Sequence, residues 1–99
     1  MVYVHNNTCF EWDDDKNAAN ITKHGIQFLT AALVFDDDNR LEIFDDEHSD
    51  YEDRYITIGM IEEEAIIAMV VYTPRNNSIR LISARKANKK ERELYYDCN

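Results

Sequence analysis

The sequence predicts a single α+β domain over residues 1–99, with two N-terminal helices and a C-terminal helix packed on a mainly antiparallel sheet of roughly four to five strands. Three observations predict it. Helix caps bracket a segment near each end of the chain, and period-two alternation runs through residues 40 to 84 between them. The composition, 44% apolar and 31% charged residues, is that of a packed globular chain. With only two glycines and one proline, each of the three acts as punctuation. No repeat, low-complexity linker or domain boundary interrupts the 99 residues.

Taken in order, a short strand ends in CFEW (9–12), and a helix starts at Asp13. Asp13 can accept from free backbone N–H groups, Asp14 and Asp15 sit in the first turn, and Lys23, His24 and Gly25 form a stop signal. QFLTAALVF (27–35) follows as a second helix, with Phe28, Leu29, Ala32, Leu33 and Phe35 at helical spacing. Four strands come next. RLEIF (40–44) alternates Leu41 and Ile43 with polar positions, and RYITIGM (54–60) puts Arg54, Ile56, Ile58 and Met60 on one face, with Gly59 marking a bulge or a close approach. AIIAMVVY (65–72) is apolar on both faces, as a central strand is, and Pro74 closes it. Asn76 and Asn77 turn the chain into IRLISA (79–84). Asn88 and Glu91 form a capping box for the last helix, with Ala87, Glu91, Leu94 and Tyr95 inward and Lys89, Arg92 and Tyr96 on an outer basic-aromatic face.

The charge is uneven. The formal net charge is −9, yet residues 1–64 hold 17 acids against 4 bases and residues 65–99 hold 3 acids against 7 bases. RLISARKANKKERELYY (80–96) alone carries three arginines, three lysines and two tyrosines. Such a stretch makes a local positive potential inside a negative far field, which suits an anionic partner or a matching acidic surface of the same fold. AIIAMVVY is far short of the roughly 20 apolar residues that cross a bilayer, and the N-terminus has no secretory pattern. These features predict a cytoplasmic protein without membrane contact, in which Cys9 and Cys98 stay reduced.

Arg54, Arg75, Arg80 and Arg85 recur around the expected sheet. Guanidinium forks bind phosphate oxygens bidentately and stay charged at any cellular pH, so several in one place suit a phosphodiester. The alternative is that they pair with the abundant carboxylates. His24 at a helix end reads most simply as a cap, and His5 as a surface residue. Asp45, Asp46 and His48 in DDEHSD are plausible metal ligands, but their spacing matches no calcium loop, and neither metal nor cofactor is expected. Phosphate loops, CxxC pairs and nucleophile elbows are absent from the sequence.

FEWDDDKNAANITKHGIQFLTAALVF (10–35) resembles the opening of the BrnT-type toxins of bacterial type II toxin–antitoxin pairs, with Trp12, Asp13, Lys16, Asn20, Lys23, His24, Gly25, Ile26 and Phe28 in step. HSDYEDRYITIG (48–59) is similar to the family's middle segment through His48, Glu52, Arg54 and Gly59. YTPRNNSIRLISARKANKKERELYY (72–96) resembles its closing segment through Ile82, Ser83, Ala84, Arg85, Ala87, Glu91, Arg92 and Tyr95. The resemblance implies a RelE-like fold and a metal-independent endoribonuclease that inhibits translation. It also implies a BrnA-type antitoxin that neutralises the toxin in a 2:2 complex, with operator DNA bound only through the antitoxin. On this basis Arg54, Arg80 and Arg85 are candidate phosphate and transition-state cations, Lys23 and His24 proton-transfer or positioning groups, and Tyr95 a base-stacking residue or acid. Arg75, Lys86, Lys89 and Arg92 are candidate RNA-binding residues. Trp12 and Phe28 read as core aromatics. A second reading is a catalytically silent module that binds the antitoxin and co-represses the operon.

Overall fold

The computed structural model describes residues 1–49 and 51–99; Asp50, within the HSDYEDRYITIG segment, lies outside the described residues. Six strands form one mixed sheet in the order β1-β2-β6-β5-β4-β3, from β1 (Val2–His5), β2 (Thr8–Glu11), β3 (Leu41–Phe44), β4 (Tyr55–Ile61), β5 (Ile66–Arg75) and β6 (Ser78–Lys86). Among the described residues only the β2–β6 pair is parallel. Among the described residues three α-helices accompany the sheet: α1 (Asp14–His24), α2 (Phe28–Ala31) and α3 (Lys89–Asp97). The α+β class stands, but the sheet has six strands rather than four or five.

The extra strand comes from an N-terminal hairpin. Asn6 and Asn7 turn it with φ of 49° and 64°, the two successive positive values that match a hairpin's twist and that asparagine tolerates. The second helix also departs from expectation. Only one α turn forms, and a 3-10 segment continues it from Ala32 to Asp36. Phe28, Ala31 and Val34 are all fully buried, and a 3-10 turn stacks residues three apart on one line. Pro74 does not end β5. The strand runs to Arg75 because β4 begins opposite Tyr72, so Pro74 has β6 alone as a neighbour and lies where one side carries no ladder.

Local signals hold α1 where it was expected. The Asp13 carboxylate accepts from the Asp15 and Lys16 amides at 2.8 and 3.3 Å, and Gly25 takes the left-handed position at φ 73°. β6 has β2 beside it only through Arg80. Beyond that point α1 substitutes for a strand: the buried Asn20 amide donates to the Ala84 carbonyl at 2.9 Å and accepts from the Ala84 amide at 3.0 Å. Asn20 donates to the Ile26 carbonyl as well, at 2.7 Å.

The main core lies between the sheet and the α1–α2 layer, where Phe10, Trp12, Phe28, Val34, Ile61, Val70, Tyr72 and Leu81 are buried. Trp12 and Phe28 meet edge to face at 6.2 Å. Gly59 is a close approach rather than a bulge: a Cβ there would stand 2.8 Å from Val34 Cγ2 and 2.9 Å from Arg40 Cβ. A smaller cluster on the other face joins Ile58, Ile67, Ala87 and Tyr95 under α3. The rest of that face has no helix over it, and Val2 and Val4 at its β1 edge are exposed.

Candidate nucleic-acid interface

Strand register brings the arginines to one face. Thr73 is paired with Arg80 and Arg80 with Glu11, while Arg54 lies one step beyond the Tyr55–Tyr72 pair and so is level with Thr73. Alternation then puts Thr73, Arg80 and Glu11 in one row across β5, β6 and β2, about 5 Å apart from strand to strand, with Arg54 immediately before β4 at the level of Thr73. Arg85 is opposite Met69 and Arg75 opposite Ser78, both on this same face. It is the face opposite the main core, and α3 covers only one corner of it.

Three of these four arginines hold carboxylates. Arg85 grips Glu91 with two nitrogens at 2.8 and 2.9 Å. Arg75 reaches Glu52 at 3.1 Å. Arg80 touches Glu11 with one nitrogen at 3.5 Å, the side chains being 24% and 29% exposed. Arg54 has no carboxylate partner among the described residues, and its Nε is buried without a hydrogen bond. The partners are single glutamates from β2, α3 and a loop, not the Asp and Glu triplets. Arg54, Arg75, Arg80 and Arg85 thus share one open face, although three of them are neutralised by their own fold.

The remaining cations are more scattered. Lys86, Lys89 and Arg92 are exposed at the end of β6 and along α3, and Arg92 donates to the Ala87 carbonyl at 2.8 Å. Lys86 lines two cavities. One of about 460 Å³ includes Ile21, Gly25, Gln27 and Glu64, and one of about 250 Å³ includes Met60, Arg92 and Tyr96. Lys23 is exposed and His24 half-buried at the end of α1, and neither side chain makes a hydrogen bond or ion pair among the described residues. That end is about 15 Å along the helix from Asp13. Asp13 is the cap whose carboxyl is held low by the Asp15 and Lys16 amides first and by Arg80 least. Lys23 and His24 therefore stand far from Arg80, and a single phosphate cannot touch both groups.

Tyr95 occupies a different environment from the one the sequence suggested. It is 6% exposed, and its hydroxyl donates to Asp37 Oδ2 at 2.5 Å. Neither ring face is open to a base. Burial first, and then the Asp37 carboxylate, push the phenol up to about 12. Asp37 also accepts from the Met60 and Asn39 amides; burial works to raise its carboxyl, but these donors together hold it below the usual range. Leu94, expected inward, is 44% exposed, because the helix is turned so that Tyr95 reaches Asp37. His5 is not solitary: it stacks on Tyr3 and meets Asp36 at 2.7 Å. His48 contacts Asp45 at 3.0 Å, and no group of three His, Cys, Asp or Glu among the described residues is arranged to hold a metal. Sequence reasoning passed over Glu11, whose place beside Arg80 depends on a parallel pairing between residues far apart in the chain.

Among the described residues no helix is long and apolar enough to cross a membrane. No curated protein matches the chain. Residues 12–91 match the family described as "Ribonuclease toxin, BrnT, of type II toxin-antitoxin system". That segment contains α1 and α2, four of the six strands, Arg54, Arg75, Arg80 and Arg85, and the glutamates that hold Arg75 and Arg85. The chain belongs to the BrnT ribonuclease toxins of type II toxin–antitoxin systems.

Proposed function

We propose that this protein is a metal-independent endoribonuclease that inhibits translation and whose working surface is the open sheet face. The observation that carries the proposal is the strand register that brings Arg54 level with the Thr73–Arg80 pair, with Arg75 and Arg85 on the same face. RNA cleavage without a metal requires help for a 2′-hydroxyl attacking its neighbouring phosphate, positive charge around the phosphorane, and a proton for the departing 5′ oxygen. In this reading Arg54, Arg80 and Arg85 stabilise the charge, while Arg75, Lys86, Lys89 and Arg92 hold flanking phosphates. Lys23 and His24 serve a phosphate further along the strand, and Tyr95 contributes by fixing α3. The glutamates beside Arg75 and Arg85 offset the charge of the face until RNA displaces them. A BrnA-type antitoxin in a 2:2 complex would cover the same face, and operator DNA would be bound only through that antitoxin.

Induced expression tests this. The parent should arrest growth and degrade cellular RNA, while folded Arg80→Ala and Arg85→Ala variants should do neither. The self-paired arginines and the net charge of −9 favour a second reading, an interaction module that binds the antitoxin without cutting RNA. A harmless parent that leaves RNA intact would select it.

A further inference from the structure

We propose that Glu11 is the general base of the cleavage, a catalytic residue standing one position before the segment matched to the family. The proposal rests on the ribonuclease reading above. A carboxylate can serve as that base when it lies beside a phosphate-binding cation, is fixed by rigid backbone and has lone pairs to spare. Among the described residues five glutamates and aspartates meet arginines or hydroxyls through their side chains around the sheet, and they differ in this respect.

Glu91 is fully used. Its two oxygens take both nitrogens of Arg85, and Oε1 also accepts from the Asn88 amide at 2.9 Å to close the capping box of α3. Glu42 takes Arg40 on one oxygen and the Tyr72 hydroxyl on the other, and Tyr72 belongs to the main-core side of the sheet. Asp37 is engaged by Tyr95 and two amides. Glu52 is on a loop, with Arg75 as its partner. Glu11 differs from all of these. It is the last residue of β2, between β1 and β6, paired with Val2 on one side and Arg80 on the other. Ser78 Oγ is 3.0 Å from Glu11 Oε1 and also 3.0 Å from the Arg75 carbonyl, so one hydroxyl proton is shared between two acceptors. Arg80 meets Oε2 through one nitrogen at the longest ion-pair distance on this face, 3.5 Å. The carboxylate is therefore positioned but weakly held, and most of the Arg80 fork remains free for a phosphate.

With a phosphate on Arg80, Glu11 takes the proton of the 2′-hydroxyl. The 2′ oxygen forms a bond to phosphorus, and the phosphorus–5′ oxygen bond breaks. The departing oxygen takes a proton from a solvent water, whose hydroxide is neutralised by the proton Glu11 has gained. The products are a 2′,3′-cyclic phosphate and a free 5′-hydroxyl, with nothing oxidised or reduced.

The test is single-turnover cleavage of a short RNA by the purified chain and its Glu11→Gln and Glu11→Asp variants, each checked for folding by circular dichroism. Binding of the same RNA with 2′-O-methyl groups, which offers no proton to remove, is measured alongside. Glu11→Gln should slow cleavage by about 10²–10⁴-fold and change analogue binding by less than about threefold. Glu11→Asp, with the carboxylate kept but withdrawn by one methylene, should fall between Gln and the parent. A folded Glu11→Gln variant that cleaves within tenfold of the parent overturns the assignment. So does one whose analogue binding falls as far as its rate, since Glu11 would then act only by holding Arg80. Should the Gln variant not fold, an Asp variant with full parental rate overturns it equally. A parent that cleaves nothing fells the ribonuclease reading and this proposal with it, an outcome distinct from an active parent with an active Gln variant.

Discussion

Replacing Tyr95 with phenylalanine separates a structural tyrosine from a catalytic one. The substitution removes one oxygen and leaves the ring that packs in the Ile58–Ile67–Ala87 cluster. The lost contact is a 2.5 Å hydrogen bond to a carboxylate, a class contributing about 1.5–3 kcal/mol. Asp37 keeps the Met60 and Asn39 amides as donors, so no charge is orphaned and the lower part of that range applies, about 1.5–2 kcal/mol. For a domain of this size the melting temperature should drop by roughly 6–16 °C. The pH dependence carries a signature. Asp37 is held low in the fold, so its contribution is complete above the unfolded value of about 4 and is lost as pH falls through the lower folded value. Tyr95 is raised to about 12, so its contribution is complete below the unfolded value of about 10 and is lost as pH rises through the folded one. The gap between parent and Tyr95→Phe should therefore be widest between about pH 5 and 9 and narrow on both sides. Thermal melts by circular dichroism across this range measure it, with RNA cleavage measured at a temperature where both are folded. A variant as stable as the parent but unable to cleave RNA would refute the structural assignment.

Other substitutions follow from the same packing. Gly59→Ala forces a methyl group against Val34 and Arg40 and should destabilise by about 1–3 kcal/mol; urea titration should show a lower midpoint at unchanged slope, and a shift under half a kcal/mol would contradict the contact. Asn20→Ala leaves the Ala84 amide and carbonyl and the Ile26 carbonyl without their partner, a loss of roughly 3 kcal/mol that the same titration would read. Gly25→Ala puts a side chain at φ 73° and should cost about 1 kcal/mol, visible as a melting shift of several degrees. Arg85→Lys preserves the charge but not the two-nitrogen grip on Glu91. It should weaken retention of RNA on a filter at moderate salt less than Arg85→Ala does.

The parts of the fold legible in the sequence are those fixed by neighbours in the chain. Asp13, Gly25 and the Asn88–Glu91 box set helix ends through hydrogen bonds spanning a few residues, and the alternation in RYITIGM set a strand's two faces. What distant residues decide was hidden. Both α and 3-10 turns suit QFLTAALVF, and the choice fell to burying Phe28, Ala31 and Val34 together against the sheet. Leu94 and Tyr95 compete for the inward side of α3, and a carboxylate 58 residues away decides between them. The hairpin signal in HNNT was present, but Val2 and Val4 face solvent, so no buried stripe announced β1. For the site, the arginine types and their strands could be read directly. Their glutamate partners could not, because Glu11 meets Arg80 only through the parallel β2–β6 pairing.

The use of Asn20 as a surrogate strand has a consequence for how the molecule comes apart. The Ala84 amide and carbonyl of β6 are satisfied on one side by a side chain, not by a ladder, so α1 is their shield. If α1 lifts, it bares a stretch rich in Ile, Leu and Ala with unpaired amides, a template for joining another chain edge to edge. The amide protons of α1 and of the Ala84 region should then exchange with solvent as one cooperative unit, and solutions in which α1 is loosened should precipitate before the sheet itself melts.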